Sequence, residues 1–283
     1  MSIRTPTHQR QAGSIMMAVR SAVLTLALLA ATAHAETLQL DSPSAVVLDS
    51  ATGQVVFDKQ ADAVRPIASL TKIFVALVLR KHRLDLEGWS EITDEDAKIA
   101  EGGAGTRLLR GETFRNLDLL HAMLLVSDNR VPTALARSVL LSPRELLDEM
   151  NALAAKLGLE HTKFDDVTGI SGNQSTAREL AIAMQEVLRD PALARIMRTR
   201  YARITSQSEA VTIEYKSTVL PLWSKQYKIR GGKTGTTDAA GHCMVIGAEI
   251  DGRAVTIALL GGDTANSRFL DFARVAHWLD THD

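Results

Sequence analysis

The run from Ala68 to Leu79 carries polar side chains only at Ser69, Thr71 and Lys72. A helix so apolar has to be wrapped by protein on most sides, and the rest of the chain must supply that wrapping. Pro66 disfavours helix at Arg65 and can sit near a helix start. Residues at i and i+3 share a helix face, so Ser69 and Lys72 are predicted to meet at its head. The helix N-terminus carries partial positive charge and opposes a second cation there. Burial pushes the same way, so Lys72 is expected to be a neutral amine able to take a proton from Ser69. S-x-x-K alone is a common spacing, equally that of a helix cap followed by a snorkelling lysine. Motifs nearer the C-terminus decide between the two.

Residues 1–35 read as a cleaved export signal. Arg4, Arg10 and Arg20 precede the apolar run Ala22 to Ala31, and Ala33-His34-Ala35 matches a small-x-small cleavage site. Met16 or Met17 is an alternative start. The apolar run is too short to span a bilayer, and no later stretch approaches about 18 apolar residues, so no transmembrane segment is expected after signal removal. The expected mature chain, residues 36–283, has 248 residues and a charge of −4 in place of −1, because the signal takes three arginines with it. With no basic patch, this argues against a nucleic-acid partner. Cys243 is the only cysteine, so no disulfide is expected, and it reads as packing in an apolar strand. Stability then has to come from one sizeable core.

Ala45–Leu48 and Gln54–Phe57 flank Ser50-Ala51-Thr52-Gly53 as a β-hairpin. Residues 84–111 turn polar and irregular around Glu101-Gly102-Gly103-Ala104-Gly105. That cluster lacks the G-K-[ST] of a phosphate loop and reads as a mobile loop near the site. Leu117–Val126 has helical spacing. Ser142-Pro143-Arg144-Glu145 and Thr176-Ala177-Arg178-Glu179 are capping boxes opening helices toward Lys156 and Leu188, and Asp190-Pro191 begins a shorter one. Strands are predicted at 210–215, 232–236, 243–250 and 254–260, and a last helix from Ser267 to Leu279. The fold class is therefore α/β, an antiparallel sheet closed from both chain ends and flanked by helices, with a helical subdomain inserted at roughly 84–200.

Two further motifs fall at the joints of this plan. Ser127-Asp128-Asn129 lies in a turn between two helices, and Lys233-Thr234-Gly235 opens a strand after Gly231-Gly232. S-x-x-K, S-x-N and K-T-G in this order, 58 and 106 residues apart, resemble the motif set of penicillin-binding proteins and class A β-lactamases. The resemblance extends over nearly all of the mature chain to the low-molecular-mass serine D-alanyl-D-alanine peptidases. It is carried by Arg65–Lys72, by Thr168-Gly169-Ile170-Ser171 with Ser175–Leu180, and by Lys233-Thr234-Gly235 running into Ala239-Ala240-Gly241-His242-Cys243. The last run is most similar to the endopeptidase branch related to penicillin-binding protein seven, which also lacks a C-terminal β-domain and anchoring helix.

The resemblance implies a DD-peptidase domain at 36–283 with a serine β-lactamase-like fold, located in the periplasm. Ser69 would be the nucleophile, Lys72 the general base, and Ser127 a proton relay between Lys72 or Lys233 and the leaving amine. Asn129 would hold Lys72 or a substrate amide, and Lys233 and Thr234 would bind the substrate carboxylate. Gly235 would let the substrate backbone lie against the strand edge, and the Ser69 and Thr236 amides would form the oxyanion hole. No metal or organic cofactor is implied, and no paired His, Cys or Asp spacing suggests zinc; His121 and His242 read as structural. Peptidoglycan stem peptides would be the substrate, β-lactams the inhibitors, and other cell-wall enzymes possible partners.

Three alternatives stay open. A class A β-lactamase would carry E-x-x-x-N on a loop after S-D-N, where this chain reads Phe164-Asp165-Asp166-Val167-Thr168-Gly169. A carboxypeptidase removing the terminal D-Ala of pentapeptides would use the same machinery as an endopeptidase. A penicillin-sensing module would acylate without turnover, but such sensors need a membrane segment or attached domain.

Overall fold

Strands β1 (Ser44–Asp49) and β2 (Val55–Lys59) form the predicted hairpin. The Asp49 carboxylate closes its turn by accepting from the Ala51 and Thr52 amides and the Thr52 hydroxyl. This computed structural model describes residues 1–2 and 38–282, and the remainder of the expected export signal lies outside the described residues. From Leu40 onward the chain forms one compact unit.

After a two-residue strand at Arg65–Pro66, paired with Gln174–Ser175, the chain enters a 3₁₀ turn at Ala68–Thr71 and then α1 (Lys72–Lys81). The predicted single helix from Ala68 is thus two pieces. Ala68 sits at φ 49°, a left-handed conformation no helix interior accepts, so the first turn tightens instead. Three residues per turn stack i directly over i+3, which brings Ser69 and Lys72 together. As the apolar run requires, Ile73, Phe74, Val75, Ala76, Val78 and Leu79 are fully buried. Phe74 packs on Phe164 with ring centroids 4.7 Å apart.

The stretch 84–111, expected to be irregular, contains a strand at Trp89–Glu91, paired with Thr113–Arg115, and helix α2 (Asp94–Ile99). Thr93 caps α2 with both halves of a capping box, made with Asp96. Asp96 is fully buried and also receives Thr133 and both Nη atoms of Arg137. There follow α3 (Asn116–Val126), α4 (Val131–Ser138), α5 (Pro143–Lys156), α6 (Ala177–Arg189) and α7 (Pro191–Met197). Ser142 and Glu145 complete the predicted box at α5. At α6 only half is made. Thr176 accepts from the Glu179 amide, while the Glu179 carboxylate turns to His161 and Thr162.

The unforeseen strand Tyr201–Thr205 pairs with Thr212–Lys216. The chain then returns to the sheet as β3 (Lys228–Thr237), β4 (Gly241–Ile250) and β5 (Arg253–Gly262), and ends in α8 (Ser267–Thr281). The order β2-β1-β5-β4-β3 is antiparallel throughout and leaves β3 as an edge. Unbroken burial along β5 from Val255 to Leu260 requires cover on both faces, and α6 and α8 both pack against β4 and β5. Cys243 is buried in β4, where it was expected to pack. Among the described residues no helix is long and apolar enough to cross a membrane.

Candidate active site

The head of α1 faces edge strand β3 and the α3–α4 turn. Lys72 is fully buried there, and its Nζ donates to Asn129 Oδ1 at 2.5 Å and to the Thr168 carbonyl at 2.6 Å. Ser69 Oγ lies 3.2 Å from the same nitrogen. Burial pushes the Lys72 amine down to about 7, while the negative charges of Asp166 and Asp128 pull it back up. A neutral amine has two N–H bonds and one lone pair. The two shorter contacts go to acceptors that can use both N–H bonds, leaving the lone pair for the Ser69 hydroxyl proton. Asn129 therefore sits on Lys72, one of the two placements its motif left open.

Ser127 ends α3 in the left-handed conformation, φ 64°, which turns its side chain out of the helix frame. It is tied to Lys233 rather than to Lys72: the Lys233 Nζ donates to Ser127 Oγ and, at 2.8 Å, to the Thr234 carbonyl. Lys233 is fully buried and held well below the ordinary lysine range, by burial first and then by the Lys72 and Arg268 cations. Asp128 accepts from Thr106 Oγ1 at 2.6 Å and the Arg130 amide at 3.1 Å, and so shapes the turn. Burial raises its carboxyl.

On β3, Thr234 is buried and shares a hydrogen bond with Thr218 at 2.6 Å, whereas Thr236 is exposed toward the serine. The geometry gives Gly235 a further role. A Cβ there would lie 3.0 Å from both the Ile67 carbonyl and the Ser69 amide, so glycine is needed for the nucleophile turn itself to approach β3. Ser69, Asn129, Gly103, Ile170, Thr236 and Asp238 line a cavity of about 460 Å³. The glycine cluster expected near the site does reach it, with Gly103 packed so closely on Asn129 that no side chain would fit. A wider surface groove of about 800 Å³, beside Asp94 and Arg137, holds none of the motif residues.

Arg268 escaped the sequence analysis. Its Nη1 donates to the Gly235 carbonyl at 3.0 Å, Thr236 Oγ1 at 3.0 Å and the Cys243 carbonyl at 3.1 Å, setting a buried cation behind the K-T-G strand. Its one signal was an arginine in the first turn of α8, where the helix dipole disfavours a cation. His242 Nδ1 lies 3.2 Å from Thr236 Oγ1, with burial and then Arg268 pulling the imidazole down. His121 is a helix residue whose Nδ1 meets the Leu117 carbonyl. Among the described residues no group of three or more His, Cys, Asp or Glu side chains could hold a metal.

A serine facing the lone pair of a buried, near-neutral lysine, with a second lysine on an edge strand, defines an acyl-transfer enzyme that works through a serine ester. Comparison with known proteins sharpens this class. The chain belongs to the D-alanyl-D-alanine carboxypeptidase family of serine D-Ala-D-Ala peptidases, whose profile matches residues 30–264. It is 30% identical over 269 residues to a D-alanyl-D-alanine endopeptidase of Escherichia coli, covering 95% of this chain and 86% of that protein. A D-alanyl-D-alanine endopeptidase of Pseudomonas aeruginosa is 30% identical, with 86% and 78% covered. A D-alanyl-D-alanine carboxypeptidase of E. coli is 28% identical, with 95% and 70% covered. Among solved structures, a D-alanyl-D-alanine carboxypeptidase from Mycobacterium tuberculosis superimposes with a TM-score of 0.77 at 25% identity, over 87% of this chain and 93% of that one. A Streptomyces DD-transpeptidase shares the fold, with a TM-score of 0.77 at 24% identity over 85% and 97%.

Proposed function

We propose that this protein is a periplasmic serine D,D-endopeptidase that cuts D-alanyl cross-links between peptidoglycan stem peptides. The observation that carries the catalytic part is the Lys72 amine, buried, near-neutral and 3.2 Å from Ser69 Oγ. Ser69 Oγ attacks the D-Ala carbonyl while its proton passes to Lys72. The Ser69 and Thr236 amides receive the oxyanion, a contact typically worth roughly 3–4 kcal/mol of barrier per donor. As the bond to the leaving amine breaks, Ser127 hands that amine a proton, replenished from Lys233, whose Nζ it already contacts. Arg268, a buried cation bonded to the Gly235 carbonyl and Thr236 Oγ1, makes this side of the site positive and suits a substrate carboxylate, which Lys233 and Thr234 would bind. Water then hydrolyses the ester, its hydroxyl going to the acyl carbon and its proton to Ser69 Oγ, while the proton held by Lys72 passes back to Lys233 and resets the site. A β-lactam acylates the same oxygen and inhibits.

Endopeptidase is favoured over carboxypeptidase by the Ala239–Cys243 run and by the two endopeptidases at 30% identity. The carboxypeptidase reading keeps support from the 28% relative. Purified protein and its Ser69→Ala variant are incubated with a cross-linked muropeptide dimer and with a monomeric pentapeptide, and products are read by mass spectrometry. The parent alone is expected to cut the dimer to monomers. Loss of one alanine from the pentapeptide with the dimer intact would make it a carboxypeptidase. No product from either, with a stable penicillin adduct on Ser69, would make it a sensor.

A further inference from the structure

One acidic side chain close to the site has no part in the steps above. Asp166 Oδ1 accepts from the Thr168 amide, from Thr168 Oγ1 at 2.7 Å and from the Gly169 amide at 2.7 Å, and Oδ2 accepts from the Ser171 amide at 2.9 Å. One carboxylate thus gathers four donors and sets the course of residues 166–171. The same loop is bolted to the nucleophile turn. Buried Asn173 donates to the Asp166 carbonyl at 2.8 Å and to Thr71 Oγ1 at 2.9 Å, and its own carbonyl accepts from the Ile67 amide at 3.3 Å. Gly169, at φ 85°, passes so near Ala68 that a Cβ would lie 2.2 Å from that carbonyl oxygen. The group this framework delivers to the site is the Thr168 carbonyl, 2.6 Å from Lys72 Nζ.

We propose that Asp166 is a positioning residue for acylation: it holds the Thr168 carbonyl on Lys72, so that the amine's lone pair is turned toward the Ser69 hydroxyl. The proposal rests on Ser69 and Lys72 being nucleophile and base. A neutral amine rotates freely about its Cε–Nζ bond, and two fixed acceptors are needed to stop it. Asn129 supplies one and the Asp166-held loop the other. With both oxygens engaged by its own loop, Asp166 is not free to activate water, which distinguishes it from a deacylating glutamate.

Asp166 also acts through charge, and two variants separate charge from shape. Asp166→Asn keeps an oxygen for Thr168 and Gly169 but removes the negative charge. Asp166→Ala removes both. The charged groups that shift Lys72 are Asp166 and Asp128, which raise it, and the nearby Lys233 is itself pushed down by burial and by Lys72. Only the first changes in either variant. The rate of acylation by a fluorescent penicillin is measured against pH for the full chain and both variants. The titration of Lys72 is followed in parallel by NMR of labelled lysine, with Lys72→Arg identifying the resonance.

Asp166→Ala is expected to lose about 100-fold in acylation rate at every pH, the scale of a misdirected general base. Asp166→Asn is expected to stay within about tenfold of the parent, since it loses one hydrogen bond. Both its acid limb and the Lys72 titration should move to lower pH. Acylation of Asp166→Ala at the parent's rate overturns the proposal, as does a rate for Asp166→Asn as low as that of Asp166→Ala, because asparagine keeps the oxygen that holds the loop. If Asp166→Ala does not fold, Asp166→Asn decides alone: a loss of about 100-fold overturns the proposal, and a loss within about tenfold with a lowered acid limb supports it. A parent that penicillin does not acylate overturns the Ser69 reading and this proposal with it. A parent acylated at the same rate as both variants overturns this proposal only.

Discussion

Burial of Lys72 ties catalysis to stability in a way that can be measured. A free lysine titrates at 10.5 and Lys72 in the folded protein at about 7. At about 1.36 kcal/mol per pH unit, the gap corresponds to about 5 kcal/mol of differential proton binding. The folded value is the depressed one, so between pH 7 and 10.5 the unfolded chain holds a proton that the folded protein has released. Stability from this site therefore rises with pH across that window. Below it both states are protonated, the full penalty applies, and the slope vanishes. Lys72→Met removes the titrating group at similar volume. It also strips a donor from Asn129 Oδ1 and the Thr168 carbonyl, at roughly 1–3 kcal/mol each, so its stability at a single pH is not diagnostic. The slope is. Urea unfolding of parent and Lys72→Met at several pH values between about 8 and 9.5 should show the parent gaining on the variant by about 1.4 kcal/mol per pH unit. Lys233 is present in both proteins and largely cancels. In the same parent, acylation by penicillin should rise as pH passes through about 7 and then level off. Parallel stability curves, or an acid limb close to 10, would refute a near-neutral Lys72.

Three further outcomes are expected from the geometry. Gly169→Ala forces a Cβ against a backbone carbonyl at a positive φ and should cost about 3 kcal/mol or more, read as a lower thermal midpoint, together with loss of penicillin acylation. Phe74→Ala should cost about 3–5 kcal/mol by opening a cavity against Phe164 behind the base, with a thermal melt as the check. Asp96→Ala removes the buried carboxylate that joins the α2 cap to Thr133 and Arg137. It should destabilise by about 3 kcal/mol while folded molecules keep their rate of acylation, measured per molecule by active-site titration.

Elements whose own residues state their boundaries were legible in the sequence. The capping box at Ser142, the hairpin around Gly53 and the apolar run after Lys72 each solve a local requirement, and all three stand where expected. Helix α2 was hidden because Thr93 and Asp96 sit in a polar stretch whose burial comes from Thr133 and Arg137, some forty residues later. The Thr176 box was half wrong for a related reason: Glu179 finds His161 and Thr162, partners that exist only once the chain has folded.

The sequence by itself determined that Ser69 and Lys72 meet, because residues three apart on a helical turn share a face, and that burial in so apolar a run pushes the lysine toward its neutral form. Motif types and their order also grouped Ser127, Asn129 and Lys233 with them. Only the tertiary structure decided how they divide. Asn129 went to Lys72 and Ser127 to Lys233, and Gly235 serves the nucleophile turn rather than a strand edge alone. The Thr168 carbonyl and Arg268 entered the site without a motif. A backbone carbonyl has no identity in a sequence, and where it points depends on the loop that carries it. Here that loop takes its course from one carboxylate, Asp166, and from its close contact with Ala68.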